Sequence, residues 1–243
     1  MMTDDERSTA NRRPISREPA AAPPRGVRPG RTTLGGDFAA LTPLDAEVHA
    51  EGLYRAGHDS GGRDSVWEYL PYGPFDDADA MRAFLRTCAG SADPLWFAIH
   101  DTGSGNPMGM ASFMEVRPTA GIAEIGHIWF GPAYQNSRGV TEALYLMMRE
   151  VMDGCGYRRL EWKCDAANEA SRRAALRLGF RYEGTFLNHN VIKGRNRDTA
   201  WYSLTDAEWP GVRTNLQRWL DSGNFDDDGK PIQSLRTLNA ALW

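Results

Sequence analysis

Lysine is nearly missing from this chain. Of 28 lysines and arginines only three are lysine, Lys163, Lys193 and Lys230, and 32 acidic residues outnumber the whole basic set for a formal net charge of −4. A chain of that sign has no overall electrostatic pull on a phosphate backbone, which argues against nucleic acid as a partner. Cysteine is scarce too. Cys88, Cys155 and Cys164 are odd in number and lack the close spacing of a metal site, so reduced thiols in a cytoplasmic setting are expected, with no bound metal. No run approaches the roughly 20 apolar residues of a membrane helix, so a soluble protein with no membrane partner is expected. The remainder, 41% hydrophobic and 25% charged in 243 residues, has the balance of a globular protein of one large domain or two small ones.

Large apolar residues are almost absent from residues 1–36, which are rich in Arg, Pro, Ala and Gly. Such a segment cannot bury enough surface to offset the entropy of ordering it, and a disordered tail is expected there. Asp4, Asp5 and Glu6, with no amphipathic period, oppose a transit peptide. A globular domain is expected over 37–210, followed by a C-terminal helix and a partly ordered extension over 211–243.

Inside that domain the hydrophobic periods suggest an order of elements. "LTPLDAEVHAEGLYRAG" reads as a short turn and a helix starting near Thr42 to Asp45, and "ADAMRAFLRTCAG" as a helix ending at Gly90. "LWFAIHD", "MGMASFMEV" and "AEIGHIWF" are strands. In the last, Glu124, Gly126, Ile128 and Phe130 share one face, and Ile125, His127 and Trp129 the other. A helix follows with Leu144, Met147, Met148 and Val151 on one stripe, then the strand "RLEWKCD" and a short helix capped by Asn168 and Gly179. Two closing strands, around Phe186 to Ile192 and Thr199 to Leu204, are joined by the turn "KGRNRD". Mixed elements with a strand-helix-strand crossover indicate an α+β or mixed-sheet domain.

The segment between the third strand and the following helix, "AYQNSRGVTEAL", is polar and small where two or three residues would suffice to turn. A strand leading through such a loop into a helix N-terminus is an anion site, because the first helical N–H groups lack internal partners and the macrodipole adds positive charge. Asn136, Ser137 and Gly139 would let a ligand approach the backbone, Arg138 would add charge, and Thr141 would cap the helix and donate its hydroxyl. A plain surface loop with a capped helix explains the same residues.

Strand, polar loop and helix, followed by "LEWKCDAANEASRRAALRLGFRYEG", resemble the GNAT (GCN5-related N-acetyltransferase) superfamily, and within it the RimJ/RimL-type branch. The likeness runs from about Leu41 to Trp209 and rests on the ordered set "EIG", "QNSRGVTEAL", "N-x-x-S" and "LGF-x-x-EG". It implies a central, mostly antiparallel mixed sheet flanked by helices, with splayed central strands forming an acyl-CoA cleft. It also implies that acetyl-CoA is the acyl donor. Its pyrophosphate would rest on the amides of Gln135, Asn136, Ser137, Arg138, Gly139, Val140 and Thr141. The pantetheine arm would meet main-chain groups of Ile128, Trp129 and Phe130, with Asn168 and Ser171 nearby. The family loop reads Gln or Arg, two residues, Gly, one residue, then Gly or Ala; here Arg138 and Val140 replace both small positions. The implied reaction is direct acetyl transfer to a primary amine, a protein N-terminus or a small molecule, by a chain that leaves room for a homodimer. A degenerate domain that binds acyl-CoA or a partner protein without turnover is the rival.

Acyl transfer to an amine needs a base, an oxyanion partner and a proton for the leaving thiolate. Glu124 is the leading base, acting through water; an alternative is a sheet carboxylate paired with Arg. His127, on the other face, reads more simply as a packed or surface histidine. Many family members carry a Tyr acid seven residues after the Asn of the strand-end motif, where this chain has Ala175, which leaves Ser171 to bond the sulfur or only to support its helix. Asn168 is a pantetheine ligand, an N-cap, or both, and Cys164 a buried structural thiol beside Asp165. Trp67, Tyr69 and Tyr72 wall an acceptor pocket or form core, and "KGRNRD" touches ligand or is a solvated turn. Asp226, Asp227 and Asp228 do not fit an EF-hand spacing.

Overall fold

The computed structural model describes Arg13 and residues 26–59 and 61–242. The expected tail therefore lies mostly outside the described residues. Two compact units contain the rest: Arg28–Val116 with Ala123–Val151, here the N-terminal unit, and the described part of Met1–Val27 with Arg117–Ile122 and Met152–Trp243, the C-terminal unit.

The N-terminal unit carries strands β1 (Leu34–Gly35), β2 (Ala39–Pro43), β3 (Leu95–Asp101), β4 (Pro107–Arg117) and β5 (Ile122–Phe130), side by side in that order. β1 to β4 pair antiparallel, with Leu34 opposite Leu41, Leu41 opposite Ile99 and Phe97 opposite Ala111. Ordered chain thus starts before residue 37, and "LTP", read above as a turn, belongs to a strand. The helices are α1 (Ala46–His58), α2 (Gly62–Ser65), α3 (Ala78–Ala89) and α4 (Arg138–Arg149). Asp45 caps α1 by accepting from Glu47 and Val48, and Asp77 caps α3 by accepting from Ala80, which stabilises each by about 1 kcal/mol.

One core of this unit gathers Leu53, Met81, Leu85, Trp67, Trp96, Met110 and Trp129. Trp67 fixes the segment between α2 and α3. Its indole donates to the Gly57 carbonyl at 3.1 Å, and added Cβ atoms at Gly57 or Gly73 would lie 2.5 Å from its ring. His58 ties the same segment down by accepting from the Phe75 amide while facing the Tyr54 carbonyl. Of the aromatic residues of this stretch Trp67 is core, Tyr72 and Phe75 pack against it half-buried, and Tyr69 is half-buried as well.

The C-terminal unit carries β6 (Arg159–Asp165), β7 (Arg181–Ile192) and β8 (Arg195–Thr205) in the order β6-β8-β7, all antiparallel. Its helices are α5 (Glu169–Arg177), α6 (Trp209–Leu220) and α7 (Leu235–Ala240). Leu160, Trp162 and Cys164 are buried as their alternation requires. The closing hairpin is longer than expected, because Lys193 (φ 49°) and Gly194 (φ 74°) alone make the turn, the left-handed pair that a two-residue hairpin loop needs. The expected boundary at 210 falls inside α6. Beyond it, Leu235 and Asn239 are buried and the Asn239 amide donates to the Arg177 carbonyl at 2.9 Å, so the extension packs within this unit. Eight strands with flanking helices among the described residues make the class α+β, as expected.

Candidate active site

The loop between β5 and α4 folds as a stepwise descent into a helix N-terminus. Pro132–Tyr134 form a 3-10 turn, Asn136 takes a left-handed backbone (φ 62°), and Ser137 caps α4 by accepting from the Val140 amide at 3.2 Å. Asn tolerates that conformation better than other side-chain-bearing residues. The cap is therefore Ser137 and not Thr141, whose hydroxyl donates to the Ser137 carbonyl at 3.3 Å one turn in. The helix runs 12 residues, long enough for its dipole and its first amides to favour an anion.

Three residues of this stretch have partners within the protein. Gln135 turns back and donates from Nε2 to the Phe130 carbonyl at 3.2 Å, closing the loop on the end of β5. Arg138 lays its guanidinium 3.9 Å over the Phe38 ring, so its charge is placed on an aromatic face. Gly139 is small for packing: a Cβ there would sit 3.1 Å from the Phe38 carbonyl oxygen.

Strand β5 supplies the carboxyl group. Glu124 is buried, 5% exposed, and its Oε1 would lie 3.5 Å from a Cβ placed on Gly126, which puts both on one face as expected. His127 interrupts the strand with φ 53°. A left-handed non-glycine inside a strand is a costly conformation of the kind concentrated at functional sites. Its ring lies 4.4 Å from Trp96 and 5.7 Å from Tyr72, the packed role anticipated for it. Trp129 is buried with its ring 4.9 Å from Trp67, and Phe130 is buried at the strand end. Ile128 between them is half-buried.

In the C-terminal unit, Asn168 caps α5, its Oδ1 accepting from the Ser171 amide at 2.9 Å. The Ser171 hydroxyl accepts from the Trp162 indole at 3.0 Å and also hydrogen-bonds to Cys164. Burial pushes the Cys164 thiol up to about 11, with Ser171 hydrogen-bonding to it, so it is an inert core thiol. Ala175 is fully buried. No group of three or more His, Cys, Asp and Glu able to hold a metal is found among the described residues.

Sequence reasoning missed Glu142. This α4 side chain is buried and accepts from three successive amides, Asp37 at 3.0 Å, Phe38 at 2.5 Å and Ala39 at 2.8 Å. Only the glycine at 36 makes room, since a Cβ there would lie 2.4 Å from the carboxyl carbon. The only sequence signal is a carboxylate at the fifth position of an amphipathic helix, which reads as solvent-facing.

Comparison with known proteins agrees with this arrangement. Residues 40–181 match the model of an acetyltransferase (GNAT) domain. The ribosomal-protein-serine acetyltransferase of Escherichia coli K12 is 32% identical over 96 residues, 40% of this chain and 53% of the relative, so the chain spans about half the length of the curated relative it matches. A GCN5-related N-acetyltransferase from Brucella melitensis is 39% identical with a TM-score of 0.87, over 90% of this chain and 99% of that one. A Chromobacterium violaceum protein described as a probable GNAT acetyltransferase is 37% identical with a TM-score of 0.71, over 82% and 99%. No helix among the described residues is long and apolar enough to cross a membrane. With more than half its length inside the family model and its strands, loop and helices in the family's arrangement, the chain belongs to the GNAT acetyltransferase family.

Proposed function

We propose that this protein is an acetyl-CoA-dependent N-acetyltransferase that moves the acetyl group directly to a primary amine. The observation that carries the reading is the 135–141 loop, with left-handed Asn136 and capping Ser137 opening a 12-residue helix. The amides of the first turn would hold the diphosphate of the donor. Main-chain groups of Ile128, Trp129 and Phe130 would take the pantetheine arm, the Phe130 carbonyl being already engaged by Gln135. Asn168 and Ser171 keep the same assignment to the donor.

In the reaction the amine nitrogen attacks the thioester carbonyl, the C–S bond breaks, and the ammonium proton passes through water to Glu124. Ser171, its oxygen held by Trp162, would hydrogen-bond the sulfur of the departing thiolate, which takes its proton from water. A CoA thiol leaves readily, so a dedicated Tyr at 175 is dispensable. The E. coli relative is named for serine in a ribosomal protein, which makes a peptide with N-terminal serine the first acceptor to try. Its α-amine, with a reference pKa near 8, deprotonates more easily than a lysine near 10.4.

The test is a thermal melt with acetyl-CoA or ADP, then thiol release with amine and serine-peptide acceptors. A ligand at 100 times its Kd adds about 2.7 kcal/mol of stability, a clear shift in Tm. Hydroxylamine stability of the product separates amide from ester. Glu124→Gln should keep the shift and lose turnover; equal turnover across the pH range removes it as base. A second reading, donor binding without chemistry, is favoured by Ala175 and gains if the shift comes without any thiol release.

A further inference from the structure

Glu142 does more than fill a space. Its two carboxyl oxygens take the N–H groups of Asp37, Phe38 and Ala39, and the Gly36 amide closes the same turn onto the Ala39 carbonyl at 2.9 Å. Three N–H groups converging on one carboxylate form an anion nest, and here the anion is part of the chain. The turn is braced from outside as well: the Thr102 hydroxyl donates to the Asp37 carbonyl at 2.6 Å and the Thr102 amide to the Phe38 carbonyl at 3.2 Å. Two further residues of the first turn of α4 reach this turn. Arg138 stacks on the Phe38 ring, and Gly139 backs against the Phe38 carbonyl.

Arg138, Gly139 and Glu142 therefore bind one turn of the chain, while Asn136 and Ser137, immediately before them, shape the amide cradle. An amide cradle works only if its N–H vectors converge, and a helix free to slide or rotate by a fraction of an ångström would spread them. We propose that Glu142 is a positioning residue for the donor's diphosphate: by clamping the 36–39 turn it fixes the advance and rotation of α4 and so the aim of the Arg138 and Gly139 amides. This rests on the acetyl-CoA reading above. Arg138 and Gly139 thus also help to hold the helix whose first amides they carry.

The experiment compares the wild-type protein with Glu142→Gln and Phe38→Leu, using acetyl-CoA and ADP as probes in calorimetry well below each Tm. KM for acetyl-CoA and kcat are measured in parallel. The carboxamide keeps one acceptor oxygen but turns an NH2 toward amide donors, so Glu142→Gln should weaken acetyl-CoA and ADP by the same factor, about tenfold, the size that outer supports of a binding site carry. It should raise KM alike and spare kcat. Phe38→Leu keeps the nest and removes the stacking, so its effect should be smaller and in the same direction. A lowered Tm with unchanged affinity for both probes overturns the positioning role and leaves Glu142 as a stabilising residue. A loss confined to acetyl-CoA, with ADP unchanged, also overturns it, because the effect would then lie away from the diphosphate. If wild type itself binds neither probe, the acetyl-CoA reading fails and the inference falls with it.

Discussion

Glu142 in the N-terminal unit and Glu161 in the C-terminal unit are both buried, and they are held in opposite ways. Glu142 meets only uncharged backbone donors. Glu161, on β6, is ringed by Arg159 at 2.8 Å and by Arg117 and Lys163 at 3.2 Å each. Glu183 and Glu208 extend the same ion network, and Arg13 joins it through both. A carboxylate facing a turn of free amides needs no cation, whereas one on a strand, whose amides are already spent in the ladder, does. The strand's own alternation supplies it, with Arg159 and Lys163 each two residues away on the same face of β6. The carboxylate-with-arginine arrangement weighed for Glu124 is thus present in the molecule, at Glu161.

The contrast can be broken most directly by neutralising each carboxylate. Glu161→Gln should cost the most, about 3 kcal/mol, because it strands the half-buried cations of Arg159 and Lys163. Glu142→Gln should cost about 2 kcal/mol, since its partners are neutral and half of the acceptor survives. Urea unfolding of both variants checks the order, and equal costs would mean that the cations around Glu161 contribute nothing beyond hydrogen bonding. Added salt should erode part of the Glu161 contribution, whose partner Arg117 is half-exposed, and leave that of Glu142 unchanged.

Acid sharpens the same comparison. Burial would raise the carboxyls of Glu161, Glu183 and Glu208, but hydrogen bonds and charge from Arg159, Lys163 and Arg13 outweigh it and hold all three below the ordinary 4.5. Their stabilisation is complete above that value and is lost as pH falls through the lowered folded values. The N-terminal unit has an earlier weakness. His49 and His100 share the Thr42 hydroxyl, at 3.4 and 3.0 Å, and burial depresses both, for His49 with help from the His100 charge. Being held neutral, they stabilise fully above the ordinary 6.5 and progressively less as pH drops below it. Hydrogen exchange resolved by segment at pH 7, 5.5 and 3.5 should show α1 loosening first and β6 only in the last step. Simultaneous loosening would mean that the two units share one transition. The smallest effect expected is from Phe38→Leu, about 1 kcal/mol from the lost cation–π contact.

Much of this was legible in the sequence where one residue type answers one local demand. β3 and β6 have the bounds that alternation and flanking polar residues suggested, and Asp45, Asn168 and Gly179 sit at helix ends for the reasons that make such residues caps. What escaped involves partners far apart or local rules overridden. Glu142 finds its donors 103 to 105 residues away, a distance no period reveals. β1 is two residues long in a stretch with the composition of a tail. The contacts of Gly139 and Arg138 with Phe38 escaped for the same reason, since small and basic groups at a helix start serve an anion as readily as they serve a neighbouring turn.

The clamp also bears on where this protein can be cut. Its three donors, Asp37, Phe38 and Ala39, all precede residue 40, where the match to the family model begins. A shortened protein built on the matched span alone would keep the whole 135–141 loop and yet expose an orphaned carboxylate on the helix that carries it. Expression trials that start at or before Gly30 preserve the arrangement; those that start at residue 40 discard half of it.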